Sequence, residues 1–292
     1  MREKTIYALG FFDGVHLGHK ALLQACRKTA DQLGAKAGVV TFTSHPDALV
    51  LGAAPKLIST ADDRRLLLHT AGMDCVVELP FDKEMMAMPW QDFFRLLLET
   101  YNAAGLVCGE DFRFGSRGEG TAALLRSACE KEGIPCTVVP EQMLDGITVS
   151  STYIRSLLEQ GEMETVSRFL GHPYFLSGTV VQGRQLGRTI GIPTANLTFP
   201  EGLILPKLGV YACTAEADGK AYPCVTNIGT RPTVEGHHIT VESWLQGFDG
   251  DLYGKTITVR FYRFLRPEQK FGSLAQLQDQ ILQDAETVKN IF

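Results

Sequence analysis

Several things are scarce in this chain of 292 residues, and each shortage excludes something. There is no charged-then-apolar leader and no uninterrupted apolar run of membrane length, so the expected compartment is the cytoplasm and no membrane is expected as a partner. There is no excess of basic charge either. With a formal net charge of -5 and a pI of about 5.8, the chain lacks the broad positive surface that holds nucleic acid, so any phosphate must be held locally. Seven cysteines are spread along the chain without one C-x-x-C pair, which suggests reduced thiols packed as small hydrophobes rather than a disulfide frame or a zinc site. The rest is ordinary: 45% hydrophobic, 21% charged, mean hydropathy -0.00. That describes a soluble globular protein, and its length suits two domains at roughly 100–200 residues each.

The first half organises around Gly10-Phe11-Phe12-Asp13-Gly14-Val15-His16-Leu17-Gly18-His19, set between the apolar run Thr5 to Leu9 and a helical pattern from Lys20. Glycines at a strand-to-helix turn let backbone approach a ligand, and a helix N-terminus offers N–H groups and a positive dipole end to an anion. The order H-x-G-H sets His16 and His19 on one face of the first turn. Two imidazole donors aimed at one phosphoryl group can hold charge as it develops, without a covalent intermediate. Gly18 would leave room for a base or ribose, and Gly10, Phe11 and Asp13 are further candidate contacts. A pair of surface histidines, or of metal ligands, is the plainer alternative.

From Thr5 to about Val139, short apolar runs (Ala37 to Phe42, Cys75 to Leu79, Leu106 to Cys108, Cys136 to Val139) alternate with helical patterns (Lys20 to Leu33, Asp62 to Ala71, Trp90 to Tyr101, Ala122 to Lys131). The rhythm predicts an α/β doubly wound parallel sheet, with ligands at the carboxyl ends of its strands. Three loops should converge there. Thr41-Phe42-Thr43-Ser44-His45-Pro46 could reach substrate through His45, or be a helix cap and a proline turn. Gly109-Glu110-Asp111-Phe112-Arg113-Phe114-Gly115 offers Phe112 and Phe114 to a flat heterocycle, with Asp111 and Arg113 for polar edges and phosphate. Val149-Ser150-Ser151-Thr152-Tyr153-Ile154-Arg155 opens a helix through Leu158, in which Ser151, Thr152 and Arg155 could clamp ATP phosphates.

At Phe169-Leu170-Gly171-His172-Pro173 the pattern breaks, and a domain boundary is expected between residues 170 and 171. Beyond it the period is two: Phe175 to Val181, Val210 to Glu216, Ala221 to Asn227, Ile239 to Leu245 and Thr256 to Phe264 read as strands, and Leu274 to about Ile291 as a terminal helix. A small antiparallel β-barrel is expected. The stretch from Gly183 through Gly187, Arg188 and Gly191 to Thr194 and Asn196 matches neither a Walker loop nor a Rossmann fingerprint. It is a phosphate-facing loop of another kind or a glycine-rich hairpin. Thr194 and Asn196 are hard oxygen donors at alternate positions, suited to one Mg²⁺ that also holds ATP phosphates. Glu242, an acid within the apolar strand Val241-Glu242-Ser243-Trp244-Leu245, is a candidate base or a glutamate on a solvent face.

These motifs resemble those of a known family. G-F-F-D-G-V-H-L-G-H, G-x-D-F-R-F-G and S-S-T-x-I-R are similar to the FMN adenylyltransferase domain of bacterial bifunctional riboflavin kinase/FMN adenylyltransferases (FAD synthetases). G-R-x-x-G-R-T-I-G-I-P-T-A-N, N-I-G-T-R-P-T, V-E-S-W-L, F-D-G-D-L-Y-G-K and L-R-P-E-Q-K-F are similar to its riboflavin kinase domain, and the likeness spans essentially the whole chain in order. It departs at Phe11, where many members have a small or polar residue, at Thr43-Ser44, which replace a commoner acidic-Pro pair, and at Trp244. The resemblance implies that residues 171–292 phosphorylate riboflavin to FMN with ATP, Thr194 and Asn196 binding Mg²⁺ and nucleotide, Glu242 acting as base and Arg266 near the flavin end. It implies that residues 1–170 adenylylate FMN to FAD, with His16, His19 and Arg155 holding charge. A protein with one live half, or a flavin sensor without turnover, is the rival reading; the sequence carries nothing on oligomeric state or protein partners.

Overall fold

The computed structural model describes residues 3–183, 186–233 and 236–292. The chain forms two compact units, Met1–Ser151 and Thr152–Phe292.

In the first unit β1 (Thr5–Leu9), β2 (Lys36–Phe42), β3 (Cys75–Leu79), β4 (Ala103–Gly109) and β5 (Cys136–Val139) form one parallel sheet in the order β3-β2-β1-β4-β5. The order reverses at β1 and β4, and the crevice beyond the carboxyl ends of such a pair is where ligands bind in open α/β sheets. Alternate residues of β1 enter opposite cores. Ile6 and Ala8 pack with Leu23 and Cys26 of α1 (Leu17–Leu33) and Leu68 of α2 (Ala61–Thr70). Tyr7 and Leu9 pack with Phe93 and Leu97 of α3 (Trp90–Glu99) and Leu125 of α4 (Ala122–Glu132). The expected doubly wound sheet is therefore present, two helices to a face.

Helix ends follow local chemistry. Thr60 and Thr121 cap α2 and α4 through the N–H groups of Asp63 and Leu124, while Gly34 and Gly133 end α1 and α4 in the left-handed region at φ 59° and 67°. All seven cysteines are free thiols.

In the second unit α5 (Ser151–Gln160), whose first residue closes the preceding unit, and α6 (Met163–Leu170) precede a closed barrel. Its strands are β6 (Tyr174–Val181), β7 (Ala195–Thr198), β8 (Gly209–Ala217), β9 (Lys220–Thr233), β10 (Gly236–Leu245) and β11 (Thr256–Arg266), ordered β6-β7-β10-β9-β8-β11. The strand β7 and the helix α6 were not legible as such in the sequence. The change of architecture expected at residue 170 falls just before β6, yet both preceding helices bond to residues beyond it: Glu164 of α6 pairs with Arg263 of β11 at 2.5 Å, and the Lys207 N–H donates to the Leu158 carbonyl of α5 at 3.0 Å. A terminal helix, α7 (Leu274–Lys289), buries Ala285 and Val288 against Val210, Ala212 and Val225.

Candidate active sites

The turn after β1 is a strained device held from a distance. Phe12, Gly14 and Val15 all have positive φ, at 59°, 71° and 44°. For Phe12 and Val15 such backbone costs of order 1–3 kcal/mol each. The buried Asp13 carboxylate offsets this by accepting from the Ile58 N–H at 2.9 Å, the Ser59 N–H at 3.2 Å and the Ser59 hydroxyl at 3.4 Å. Ser59 Oγ in turn accepts from the Gly14 N–H at 3.0 Å. Asp13, expected among the ligand contacts, is thus spent on holding the loop.

His16 precedes α1 as its cap: its Nδ1 accepts from the His19 N–H at 3.2 Å. That fixes the neutral tautomer with the proton on Nε2. The two imidazoles stack at 3.6 Å between centroids and 13° between planes, as the spacing predicted. Burial first, and His16 second, hold His19 well below the ordinary imidazole range. The His19 ring is therefore an uncharged donor near neutral pH. At Gly18 an added Cβ would lie 3.1 Å from the His16 ring, so the glycine makes room for the histidine. Gly10 likewise accommodates Phe12, whose ring would stand 3.2 Å from a Cβ.

Around the turn, Phe11 meets the His45 ring edge-on at 4.6 Å, and His45 Nδ1 accepts from the Asp47 N–H at 3.2 Å, at the start of a short helix at Asp47–Val50. Phe112 and Phe114 stack at 5.5 Å, Phe114 reaching on to Phe93 in the core, which removes the cost of two exposed aromatics side by side. Asp111 is exposed beside Gly109. A cleft of about 720 Å³ is lined by Gly10, Phe42, Phe81, Met85, Phe112 and others, with two cations, Arg113 and Arg117, and no carboxylate. That lining suits a flat apolar ring system with an anionic tail. Arg117, at φ 53°, was missed in the sequence because nothing marks it beyond charge. The Ser151 hydroxyl donates to the Asp13 carbonyl at 3.3 Å, joining the S-S-T segment to the turn. Thr152 and Arg155 follow in α5 within the second unit.

In the barrel, strand register assembles the site. Glu242 on β10 stands directly opposite Asn196 on β7 and Asn227 on β9, so the three side chains share one face. Glu242 is half-buried and lines a cavity on that face. Asn196 Nδ2 donates to the Thr194 carbonyl at 3.2 Å and lies 3.4 Å from its hydroxyl. Gly183 makes room for that amide, since a Cβ there would come 2.5 Å from Asn196 Oδ1.

Two cavities meet at these residues. One, of about 390 Å³, is lined by Gly183, Arg188, Gly191, Phe248 and Asp251. The other, of about 830 Å³, is lined by Glu242, Trp244, Arg266, Phe271 and Asn227. Thr194 and Asn196 line both. Gly187 is required by a tight turn, where its carbonyl accepts from the Ile192 N–H at 2.7 Å. Arg184 and Gln185, part of the same motif, lie outside the described residues.

Arg266 does line the larger cavity, but Asp284 of α7 takes its guanidinium at 2.7 and 3.1 Å, so its charge is met by protein. Gln278 of α7 donates to the Ile190 carbonyl at 2.8 Å. Neither helix contact was visible in the sequence, nor was Glu268, which accepts from Asn227 Nδ2 at 3.3 Å.

Two family models match the chain, one described as FAD synthetase over residues 1–153 and one described as riboflavin kinase over residues 170–292. Among curated relatives, the bifunctional riboflavin kinase/FMN adenylyltransferase of Bacillus subtilis is 34% identical, the match covering 100% of this chain and 93% of that protein. The protein of the same description from Escherichia coli K12 is 36% identical over 100% of this chain and 94% of its own. A crystal structure from Streptococcus pneumoniae, described as a macrolide-efflux protein, superposes with a TM-score of 0.90 at 30% identity, covering 99% of this chain and 95% of that one. Among the described residues no helix is long and apolar enough to cross a membrane.

Proposed function

The chain belongs to the bifunctional riboflavin kinase/FMN adenylyltransferase family, and from that premise we propose how its own residues carry the two reactions. It is an enzyme that phosphorylates riboflavin to FMN and adenylylates FMN to FAD.

In the barrel, the larger cavity takes riboflavin and the smaller takes ATP. The observation that carries this reading is the wall of Thr194 and Asn196 common to both, with Glu242 beside it. Glu242 accepts the proton of the ribityl hydroxyl as its oxygen bonds to the γ-phosphorus and ADP leaves. Thr194 Oγ1 and Asn196 Oδ1 are hard neutral oxygens, and no cluster of carboxylate, imidazole or thiolate ligands stands among the described residues. Such a pair fits a Mg²⁺ that takes its remaining ligands from ATP phosphates and water. Bound there, the ion would neutralise phosphate charge.

In the first unit the cleft between Phe42 and Phe112 takes the isoalloxazine ring, and Arg113 takes the FMN phosphate. His16 and His19 donate to the phosphate oxygens of ATP as an FMN phosphate oxygen bonds to the α-phosphorus and pyrophosphate leaves. Thr152 and Arg155, which belong to the second unit, are assigned with Ser151 to the same reaction on their motif alone. We therefore count residues 1–170 with adenylylation and 171–292 with the kinase. Riboflavin, FMN and ATP are the partners this reading needs, and the cytoplasm, which holds them, is its compartment.

The test is chromatography of products from riboflavin, and separately from FMN, with Mg²⁺ and excess ATP, for the parent protein and His19→Ala. The parent should yield FMN and then FAD; the variant should stop at FMN. A folded His19→Ala protein that makes FAD at the parent rate removes the histidine from its role.

A further inference from the structure

Beneath the turn after β1 lies a cation that neither scheme above uses. Arg64 of α2 is 1% exposed and heads the fully buried side chains by size. A guanidinium taken out of water is costly unless its charge and donors are met. Arg64 is only partly compensated: Nη2 donates to the Phe42 carbonyl at 3.0 Å, while Nε is buried with no hydrogen-bond partner among the described residues. Its plane lies over the Phe11 ring, 4.2 Å from the centroid. Asp13 and Glu78 supply opposite charge nearby, Arg65 like charge.

What Arg64 touches is informative. Phe42 ends β2 and lines the flavin cleft; Phe11 opens the turn that carries His16 and His19. The two contacts therefore span the carboxyl ends of adjacent strands, where β1 and β2 deliver their loops. Phe11 also abuts His45 of the second loop at 4.6 Å, so one side chain sets the separation of both loops. A stacked cation is worth about 0.5–2 kcal/mol, more when desolvated, and the planar fork is what lets one group hold a ring face and a carbonyl together.

We propose that Arg64 is a positioning residue for FMN adenylylation: it clamps the Phe42 carbonyl and the Phe11 ring, and so fixes the histidine turn against the His45 loop. This rests on the assignment of adenylylation to the first unit. Displacing a catalytic loop by about 1 Å can cost about 10²-fold in rate.

The experiment is steady-state conversion of FMN to FAD by Arg64→Met, Arg64→Lys, Phe11→Leu and the Phe11→Leu/Arg64→Met double variant, with thermal unfolding of each and riboflavin phosphorylation as control. Arg64→Met should lower kcat about 10- to 100-fold, with KM for ATP and FMN changed less than about threefold. Lysine, which keeps the charge and the carbonyl bond but not the planar stack, should recover part of the loss. The double variant should be no slower than Arg64→Met, because the two contacts act as one clamp. If Arg64→Met does not fold, Phe11→Leu decides: a folded variant with a reduced kcat supports the clamp, and an unchanged kcat overturns it. A folded Arg64→Met protein with the parent kcat, or strict additivity in the double variant, also overturns it. A parent protein that makes no FAD at all would defeat the assignment of adenylylation instead, which is a separate result.

Discussion

Asn196 stands directly across the β7–β10 ladder from Glu242, with its amide in the wall of both barrel cavities and the carboxylate in the wall of the larger alone. In the proposed kinase scheme this pairing sets the proton acceptor in the riboflavin cavity and the amide at its boundary with the ATP cavity. Glu242→Gln keeps the shape and removes the basicity. General-base assistance accounts for about 10²–10⁴ in rate, so riboflavin phosphorylation should fall by that range while FMN supplied directly is still adenylylated. Rate measurements with the two substrates separately check this.

Gly183→Ala is a geometric test of the same site. The added methyl would meet Asn196 Oδ1 and Nδ2 at 2.5 and 2.7 Å, so the amide must turn away from Thr194. The kinase should weaken and need more Mg²⁺ for half-maximal rate, with adenylylation unchanged. A Mg²⁺ titration of both activities gives the answer, and an unshifted kinase curve would remove Asn196 from the Mg²⁺ assignment.

Asp13→Asn should damage the other half. One carboxylate oxygen becomes an amide nitrogen, and in either orientation an N–H from residues 58–59 then faces a donor. Leaving a buried donor unmet costs about 1–3 kcal/mol, and the left-handed backbone at Phe12 and Val15 loses its restraint. The unfolding midpoint of the first unit should drop and FAD formation should fall, with riboflavin phosphorylation retained.

His19 makes a pH prediction. Its folded-state affinity for a proton is depressed from the ordinary 6.5, chiefly by burial. As pH falls through that value the unfolded chain takes up the proton first, so stability is whole above it and declines below it until the folded ring protonates as well. Thermal unfolding of the first unit should therefore worsen between neutral pH and mildly acid pH. His19→Asn should flatten that part of the profile; an equally steep decline in the variant would assign the effect elsewhere.

The sheet strands and the H-x-G-H pair were legible because their signals are local. Apolar runs mark β1, β3 and β5 to the residue, and two imidazoles three apart at a helix start had to meet. Asp13 was misread because a carboxylate in a phosphate-type turn looks like a ligand, while its real partners, Ile58 and Ser59, lie about 45 residues on. Arg266 lines the larger cavity, but its pairing with Asp284 of α7, 18 residues on, was not legible. Arg64 was invisible, being one of four successive charges in Asp62-Asp63-Arg64-Arg65, and only the fold says which of them is buried. The Asn196–Glu242–Asn227 row depends on strand register across three segments, which no local pattern encodes.

Because Thr194 and Asn196 line both barrel cavities, the wall they form belongs to neither cavity alone. For inhibitor design this favours one tethered molecule over two separate ones. A flavin-like head in the 830 Å³ cavity, joined through a short anionic bridge to a group in the 390 Å³ cavity, would cross that wall where the bridge resembles the transferring phosphoryl. Its second half would then bind at an effective concentration in the range of millimolar. Such a compound would compete with riboflavin and with ATP at once, and a cell could not outrun it by raising the supply of only one.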